Sequence, residues 1–215
     1  MMVLESSENM RMRNPKYKDE VINNCDFLIT DNIEFDNNNE LLYIEIGMGK
    51  GDFILKNALN NPNINYIGIE KYSSVAAVAI KKIMDYKLDN LKVIISDVSK
   101  LEDLLKNKVD RIYLNFSDPW PKDRHAKRRL THKNFLCMYD NFFKGNNEII
   151  MKTDNDNLFL FSLDSLKEYG YTLEEVEYDL HSTDKDNIET EYETKFSNMG
   201  YTIKYLKATK KNLHK

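Results

Sequence analysis

Chemistry concentrates in one segment, Phe116-Ser117-Asp118-Pro119-Trp120-Pro121-Lys122-Asp123-Arg124-His125-Ala126-Lys127-Arg128-Arg129-Leu130. A carboxylate, two prolines and the chain's one tryptophan stand directly before the cations Lys122, Arg124, Lys127, Arg128 and Arg129, with Asp123 as the only acid among them. The 215-residue chain as a whole carries a formal net charge of −4, so this positive charge is local. A local basic cluster attracts a polyanion and is read here as a phosphate-backbone contact rather than a merely solvated face. Prolines on both sides of Trp120 restrict the backbone and favour a fixed turn. Trp120 could stack on a base or pack in the core; Asp118 could accept from base N–H groups or close an Asx turn.

A second constellation is Glu45-Ile46-Gly47-Met48-Gly49-Lys50-Gly51. Its glycines are spaced G-x-G-x-G, which is neither the dinucleotide fingerprint G-x-G-x-x-G nor a P-loop, because Gly51 follows Lys50 where a P-loop needs Ser or Thr. Glycines there still let backbone approach a ligand closely. A carboxylate at Glu45 would repel a pyrophosphate but suits a cationic amino-acid or sulfonium ligand. Glu70 is then placed for the two hydroxyls of a ribose, and Asp97 for an adenine amino group.

The elements that must position these residues alternate. Apolar runs at Leu41 to Ile46, Tyr66 to Ile69, Lys92 to Ile95, Arg111 to Phe116 and Glu148 to Met151 predict five strands. Helical spacing predicts helices over Asp52 to Leu59, Ser73 to Tyr86, Val98 to Lys106 and Asn155 to Tyr169, and one that Thr131 caps and that carries Phe135, Met138, Phe142 and Phe143. A short helix lies within Lys16 to Thr30, and residues 1 to 15 form an arm. Tyr171 to Leu180 and Tyr201 to Lys207 read as two last strands, an antiparallel hairpin or edge, with the acidic segment Asp184 to Glu193 between them. The fold class is therefore α/β, a mostly parallel seven-stranded sheet with helices on both faces and a late antiparallel strand. Such sheets bind ligands beyond the carboxyl ends of their strands, where Glu45, Glu70, Asp97, Asp118 and Lys152 to Asp154 all fall. The expected division is residues 1–35 as arm and short helix, and 36–215 as one domain.

Composition removes several classes. Cys25 and Cys137 have no metal-ligand spacing, and the four histidines form no His-x-x-x-His pair, so neither a zinc site nor a disulfide framework is expected. The N-terminal residues lack the apolar core of a signal peptide and no apolar run is long enough to span a bilayer, which predicts a cytoplasmic protein.

Together these motifs closely resemble the bacterial tRNA (guanine-N7-)-methyltransferase family. The residues that carry the resemblance are Glu45 to Gly51, Gly68-Ile69-Glu70, Phe116 to Lys122, Arg124 to Leu130, Lys152-Thr153-Asp154 and Thr190 to Phe196. They run from the first strand to near the last, and the Asp-Pro-Trp-Pro-Lys to Arg-Arg-Leu run is the most specific of them. The resemblance implies a Rossmann-like class I fold and a tRNA (guanine(46)-N7)-methyltransferase using S-adenosylmethionine. By the same resemblance Glu45, Gly47, Gly49, Gly51, Glu70, Asp97 and Asp118 contact the cofactor, with Asp118 also catalytic. Lys122, Asp154, Thr190, Glu191, Tyr192 and Glu193 would hold the substrate guanosine, and Arg124, His125, Ala126, Lys127, Arg128 and Arg129 would grip RNA. The implied partner is tRNA, with no obligate protein subunit, as monomer or homodimer. Lys204 stands where an aromatic is common, a departure expected to touch only the last strand. Two rival enzyme readings remain at this level: a methyltransferase for an exocyclic amine or small molecule, and a nucleotide-dependent oxidoreductase. A third rival is a non-catalytic RNA-binding module.

Overall fold

The computed structural model describes residues 14–211. The expected arm, with Arg11 and Arg13, lies almost wholly outside the described residues. Strands β1 (Leu42–Ile46), β2 (Asn65–Glu70), β3 (Leu91–Ile95), β4 (Arg111–Asn115), β5 (Asn147–Thr153), β6 (Thr172–Glu177) and β7 (Lys204–Lys210) form one sheet in the order β3-β2-β1-β4-β5-β7-β6. The first five strands are parallel; β7 runs antiparallel to both β5 and β6. The late pair is thus a hairpin whose second strand is inserted into the sheet, rather than one added at its edge in chain order.

The helices are α1 (Lys18–Asn23), α2 (Asp52–Asn60), α3 (Ser73–Ile83), α4 (Glu102–Leu105), α5 (Lys133–Phe142), α6 (Asp156–Glu168) and α7 (Glu191–Asn198). They cover both faces, which gives two cores. On one face Ile44, Ile67, Ile69 and Ile112 meet Leu136, Tyr139 and Phe142 of α5 and Leu158, Phe159 and Leu166 of α6. On the other, Tyr66, Leu91, Val93 and Tyr113 meet Phe53, Ile54 and Ala58 of α2 and Ala76, Ile80 and Ile83 of α3. Strands buried on both faces read as continuous apolar runs, which is why β1 to β5 stand out in the sequence.

The short helix expected within Lys16 to Thr30 is α1; beyond it Ile29 N–H donates to Val93 O (2.8 Å) and Val93 N–H to Phe27 O (3.0 Å), so this stretch covers the edge of β3. Three differences from the sequence reading have physical causes. The Val98 to Lys106 helix divides into a 3-10 turn, Val98–Lys100, and α4. The cap of α5 is His132, whose ring nitrogen accepts from Asn134 N–H, while Thr131 is buried against Ser162 Oγ (2.7 Å). The acidic segment before β7 runs into a helix, α7, that apolar periodicity does not reveal. Among the described residues no helix is long and apolar enough to cross a membrane.

Candidate active site

The order of the sheet reverses at β1, with β2 on one side and β4 on the other, and the loops leaving these strands open a crevice there. The crevice holds about 830 Å³ and is lined by Gly47, Glu70, Asp97, Asp118 and Trp120, with Lys127 and Arg128 also on its wall. The glycine loop reaches it because Gly47, Gly49 and Gly51 all adopt left-handed backbone, with φ of 80°, 57° and 77°. A Cβ on Gly68 of β2 would fall 2.2 Å from Met48 Sδ, so a bare strand position seats the loop's methionine.

Of the seven candidate cofactor residues, four line the crevice: Gly47, Glu70, Asp97 and Asp118. Glu70 accepts from Gly49 N–H (3.1 Å) and Tyr72 N–H (2.9 Å), which fixes the loop to the strand and leaves acceptor capacity. Burial raises its pKa against those bonds. Asp97 accepts from Ser99 N–H and Oγ–H, and pairs with Lys71 Nζ at 2.8 Å; that ammonium, with the serine donors, holds its carboxyl down at about 2. Gly51 instead faces α3, where a Cβ would lie 3.0 Å from Ala79 Cβ.

Glu45 is 2% exposed and lies beneath the crevice floor. Asn115 Nδ2 donates to its Oε1 (2.9 Å) and its buried Oε2 has no partner. Burial pushes its carboxyl up to about 8, against the Asn115 bond and the nearby Lys152 ammonium. Lys152 is equally buried and donates to Glu193 (2.5 Å), Ile188 O (2.9 Å) and Asn187 Oδ1 (3.0 Å), with its charge 5.0 Å from the Phe53 ring centre. Desolvation lowers the Lys152 pKa, while Lys152 and the Asn187 and His181 bonds hold Glu193 low despite its burial. One buried ammonium therefore answers one ionised carboxylate, and Glu45 is the group left neutral.

The candidate substrate residues divide. Glu193 is fully buried, and its two oxygens are taken by Lys152, His181, Asn187 and the Thr190 N–H. Thr190 caps α7 by accepting from Glu193 N–H at 2.9 Å. These two residues build and anchor α7. Tyr192 donates to Asp154 Oδ2 (3.2 Å), lies 4.9 Å from the Phe116 ring and stacks on Phe196 at 4.0 Å. An aromatic wall thus runs from the residue two before Asp118 out along α7. Glu191 is exposed and pairs with Lys50 at 2.8 Å. Lys122 is exposed and outside the crevice lining. Lys204 reaches beyond the last strand: it pairs with Asp156 (2.7 Å) and donates to Asp154 O (3.2 Å), so it bears on a candidate site residue.

The Asp118 turn is the most constrained backbone in the site. Phe116 (φ 50°) and Trp120 (φ 43°) are both non-glycine residues in left-handed conformation, two positions either side of Asp118. Each such residue costs about 1–3 kcal/mol and persists only where its surroundings impose it. Asp118 is exposed on the crevice, and its charge reaches Glu70. Trp120 is half-buried on the crevice wall, edge-on to His125 (5.9 Å), with the Arg128 guanidinium 4.8 Å from its ring. Of the basic run, Arg124, Lys127 and Arg128 are exposed on a 3-10 turn, Asp123–Arg128, and Lys122 is exposed just before it, with His125 and Ala126 half-buried. Arg129 is only 7% exposed, so it does not belong with the others.

The donor set suits one kind of small ligand. Two strand-end carboxylates accept hydroxyl or amine hydrogens, and Val75, Val98, Leu130 and Phe135 form an apolar slot beside them. Carboxylates without a phosphate cradle fit a nucleoside with a cationic tail, and an approaching cation would favour ionisation of Glu45, whose buried Oε2 has no partner. S-adenosylmethionine has these features.

Comparison with known proteins agrees with this geometry. A family described as "Putative methyltransferase" matches residues 39–206. Proteins named tRNA (guanine-N(7)-)-methyltransferase are similar throughout. That of Lachnoclostridium phytofermentans is 49% identical over 93% of this chain and 98% of its own length. That of Lysinibacillus sphaericus is 49% identical over 90% and 95%. Among solved structures, an antibiotic-related methyltransferase superposes with a TM-score of 0.59 at 21% identity, covering 90% of this chain and 94% of its own. A 16S rRNA (adenine(1408)-N(1))-methyltransferase from Catenulisporales acidiphilia superposes at 0.56 with 13% identity, covering 90% and 91%, and was solved with S-adenosylmethionine as cosubstrate. These two share the fold. With the family match over most of its length and relatives at nearly half identity, the chain belongs to the tRNA (guanine-N(7)-)-methyltransferase family of class I methyltransferases.

Proposed function

We propose that the protein methylates N7 of a guanine in the variable loop of tRNA, using S-adenosylmethionine. The observation that carries this reading is the placement of Asp118. It stands on a constrained turn between the strand-end carboxylates Glu70 and Asp97 and the exposed cations Lys127 and Arg128, all on one crevice. When bound, S-adenosylmethionine supplies an electrophilic methyl group on a sulfonium. Glu70 and Asp97 accept from its nucleoside, and the glycine loop lets the backbone approach.

Guanine N7 has an accessible lone pair and no proton, so no general base has to create the nucleophile. The chain's task is alignment and charge handling. Asp118 accepts from the guanine N1–H and 2-amino group, which become better donors as the ring turns cationic. An interaction that strengthens in this way favours the transition state over the ground state. Asp154, steadied by Tyr192 and Lys204, follows β5 at the same edge of the sheet and holds the guanosine, and the exposed cations hold the RNA backbone. Residues 36–215 make the catalytic domain, 14–35 cover its sheet edge, and the enzyme works in the cytoplasm as a chain without an obligate protein partner.

The test is methyl transfer from labelled S-adenosylmethionine to an unmodified tRNA, with the product mapped. Label in N7-methylguanine at the variable loop is the expected result; label on another base or atom overturns the target. Asp118→Ala is expected to lower kcat about 100-fold or more while changing cofactor affinity only a few-fold. Lost cofactor binding with normal turnover at saturation would contradict its role.

A further inference from the structure

We propose that Arg129, although it ends the basic run, is a positioning residue for the Asp118 turn and makes no phosphate contact. The proposal rests on the reading of Asp118 given above. The Arg129 Nε–H donates to Pro119 O (3.0 Å) and an Nη2–H to Trp120 O (3.1 Å), the two carbonyls that directly follow Asp118. Its guanidinium lies 4.4 Å from the Phe161 ring centre, and the other neighbour of Phe161 is the His132 ring, parallel to within 3°. The fork is thus fixed on an α6 platform, while its neighbours Lys127 and Arg128 are open to solvent.

This arrangement answers the strain in the turn. Trp120 holds φ of 43° although it is neither glycine nor asparagine, and Phe116 holds 50°. Something must impose that backbone, and a rigid two-pronged donor on consecutive carbonyls does so. A lysine at 129 would keep the charge but could not present two parallel donors or lie flat on Phe161. The fork therefore matters more than the charge. Displacing the turn by about 1 Å would cost on the order of 100-fold in rate without touching RNA affinity.

The test compares Arg129→Lys and Arg129→Ala with Lys127→Ala. Arg129→Lys is expected to lower kcat on the order of 100-fold with tRNA Kd and its salt dependence as in the wild type. Millimolar guanidinium should restore part of the kcat of Arg129→Ala. Lys127→Ala should weaken tRNA binding and lower the salt slope by about 0.7. A second readout needs no activity. Trp120 is the only tryptophan, so its emission reports on the turn directly. In Arg129→Lys it should shift to the red with lower anisotropy, at unchanged far-ultraviolet circular dichroism. Where Arg129→Ala fails to fold, Arg129→Lys and Phe161→Leu decide the matter by the same measurements. Full kcat and wild-type emission in Arg129→Lys, or in Arg129→Ala a slope lowered by about 0.7 with normal kcat, would overturn the proposal. If the wild type transfers no methyl to tRNA, the functional reading fails while the fluorescence still decides whether Arg129 holds the turn.

Discussion

Glu45, Lys152 and Glu193 are three ionisable groups buried together, and their balance has a measurable consequence. Burial raises the Glu45 carboxyl to about 8, so the folded ligand-free protein holds that proton more tightly than the unfolded chain. The stability this contributes is complete below the ordinary carboxylate range, near pH 4.5, and is lost as pH rises through about 8. Thermal scans of the ligand-free protein from pH 6 to 9 should therefore show a falling midpoint that flattens in Glu45→Gln; equal slopes in the two would show that Glu45 does not titrate there. The role of Glu45 as an acid at a strand end was legible from its place before the glycines. Its neutrality was not, because it depends on a lysine 107 positions away reaching α7 rather than Glu45.

At the scale of elements, α7 illustrates what periodicity misses. Its single buried residue is Glu193, so a hydrophobic pattern counts the helix's inner face as polar. The signal that was available is Thr190-x-x-Glu193, the spacing of a capping box, which the helix does form. Breaking the ion pair that holds α7 to β5 should be severe. Lys152→Ala leaves a carboxylate buried without its partner and is expected to destabilise the fold by about 3–5 kcal/mol. Lys152→Met with Glu193→Leu removes both charges and should recover most of that in denaturant unfolding; a double variant as weak as the single would contradict the pairing argument. Strand ends, by contrast, were readable almost residue by residue, since β1 to β5 are buried on both faces and stop where polar residues begin. The basic turn was readable as a charge cluster, but the burial of Arg129 was not, because its acceptors are backbone carbonyls and carry no sequence signature.

For the whole molecule, an excess of acids elsewhere would confine the proposed attraction of RNA to one rim of the crevice. With Arg129 withdrawn, the loop offers Lys122, Arg124, Lys127 and Arg128, and a single-strand-like contact through all four gives a log–log salt slope near 3 in magnitude. Replacing Lys127 and Arg128 together by Ala should lower it by about 1.4. An unchanged slope would move the RNA to another face.

The insertion of β7 between β5 and β6 also sets an order of events during synthesis. β6 is made before β7 but hydrogen-bonds only to it, so it has no sheet partner until the later strand emerges. Until then the β5 edge stays open, and its pairing residues, Asn147 to Thr153, include Lys152, the lysine that anchors α7. A nascent or truncated chain stopping short of Lys204 would carry two unsatisfied strands at once, a state prone to pair with other chains. The crevice side of the sheet can form early, while the side that supports α7 and Asp154 closes last. Cofactor binding could then precede the ability to seat the substrate base on the same growing chain.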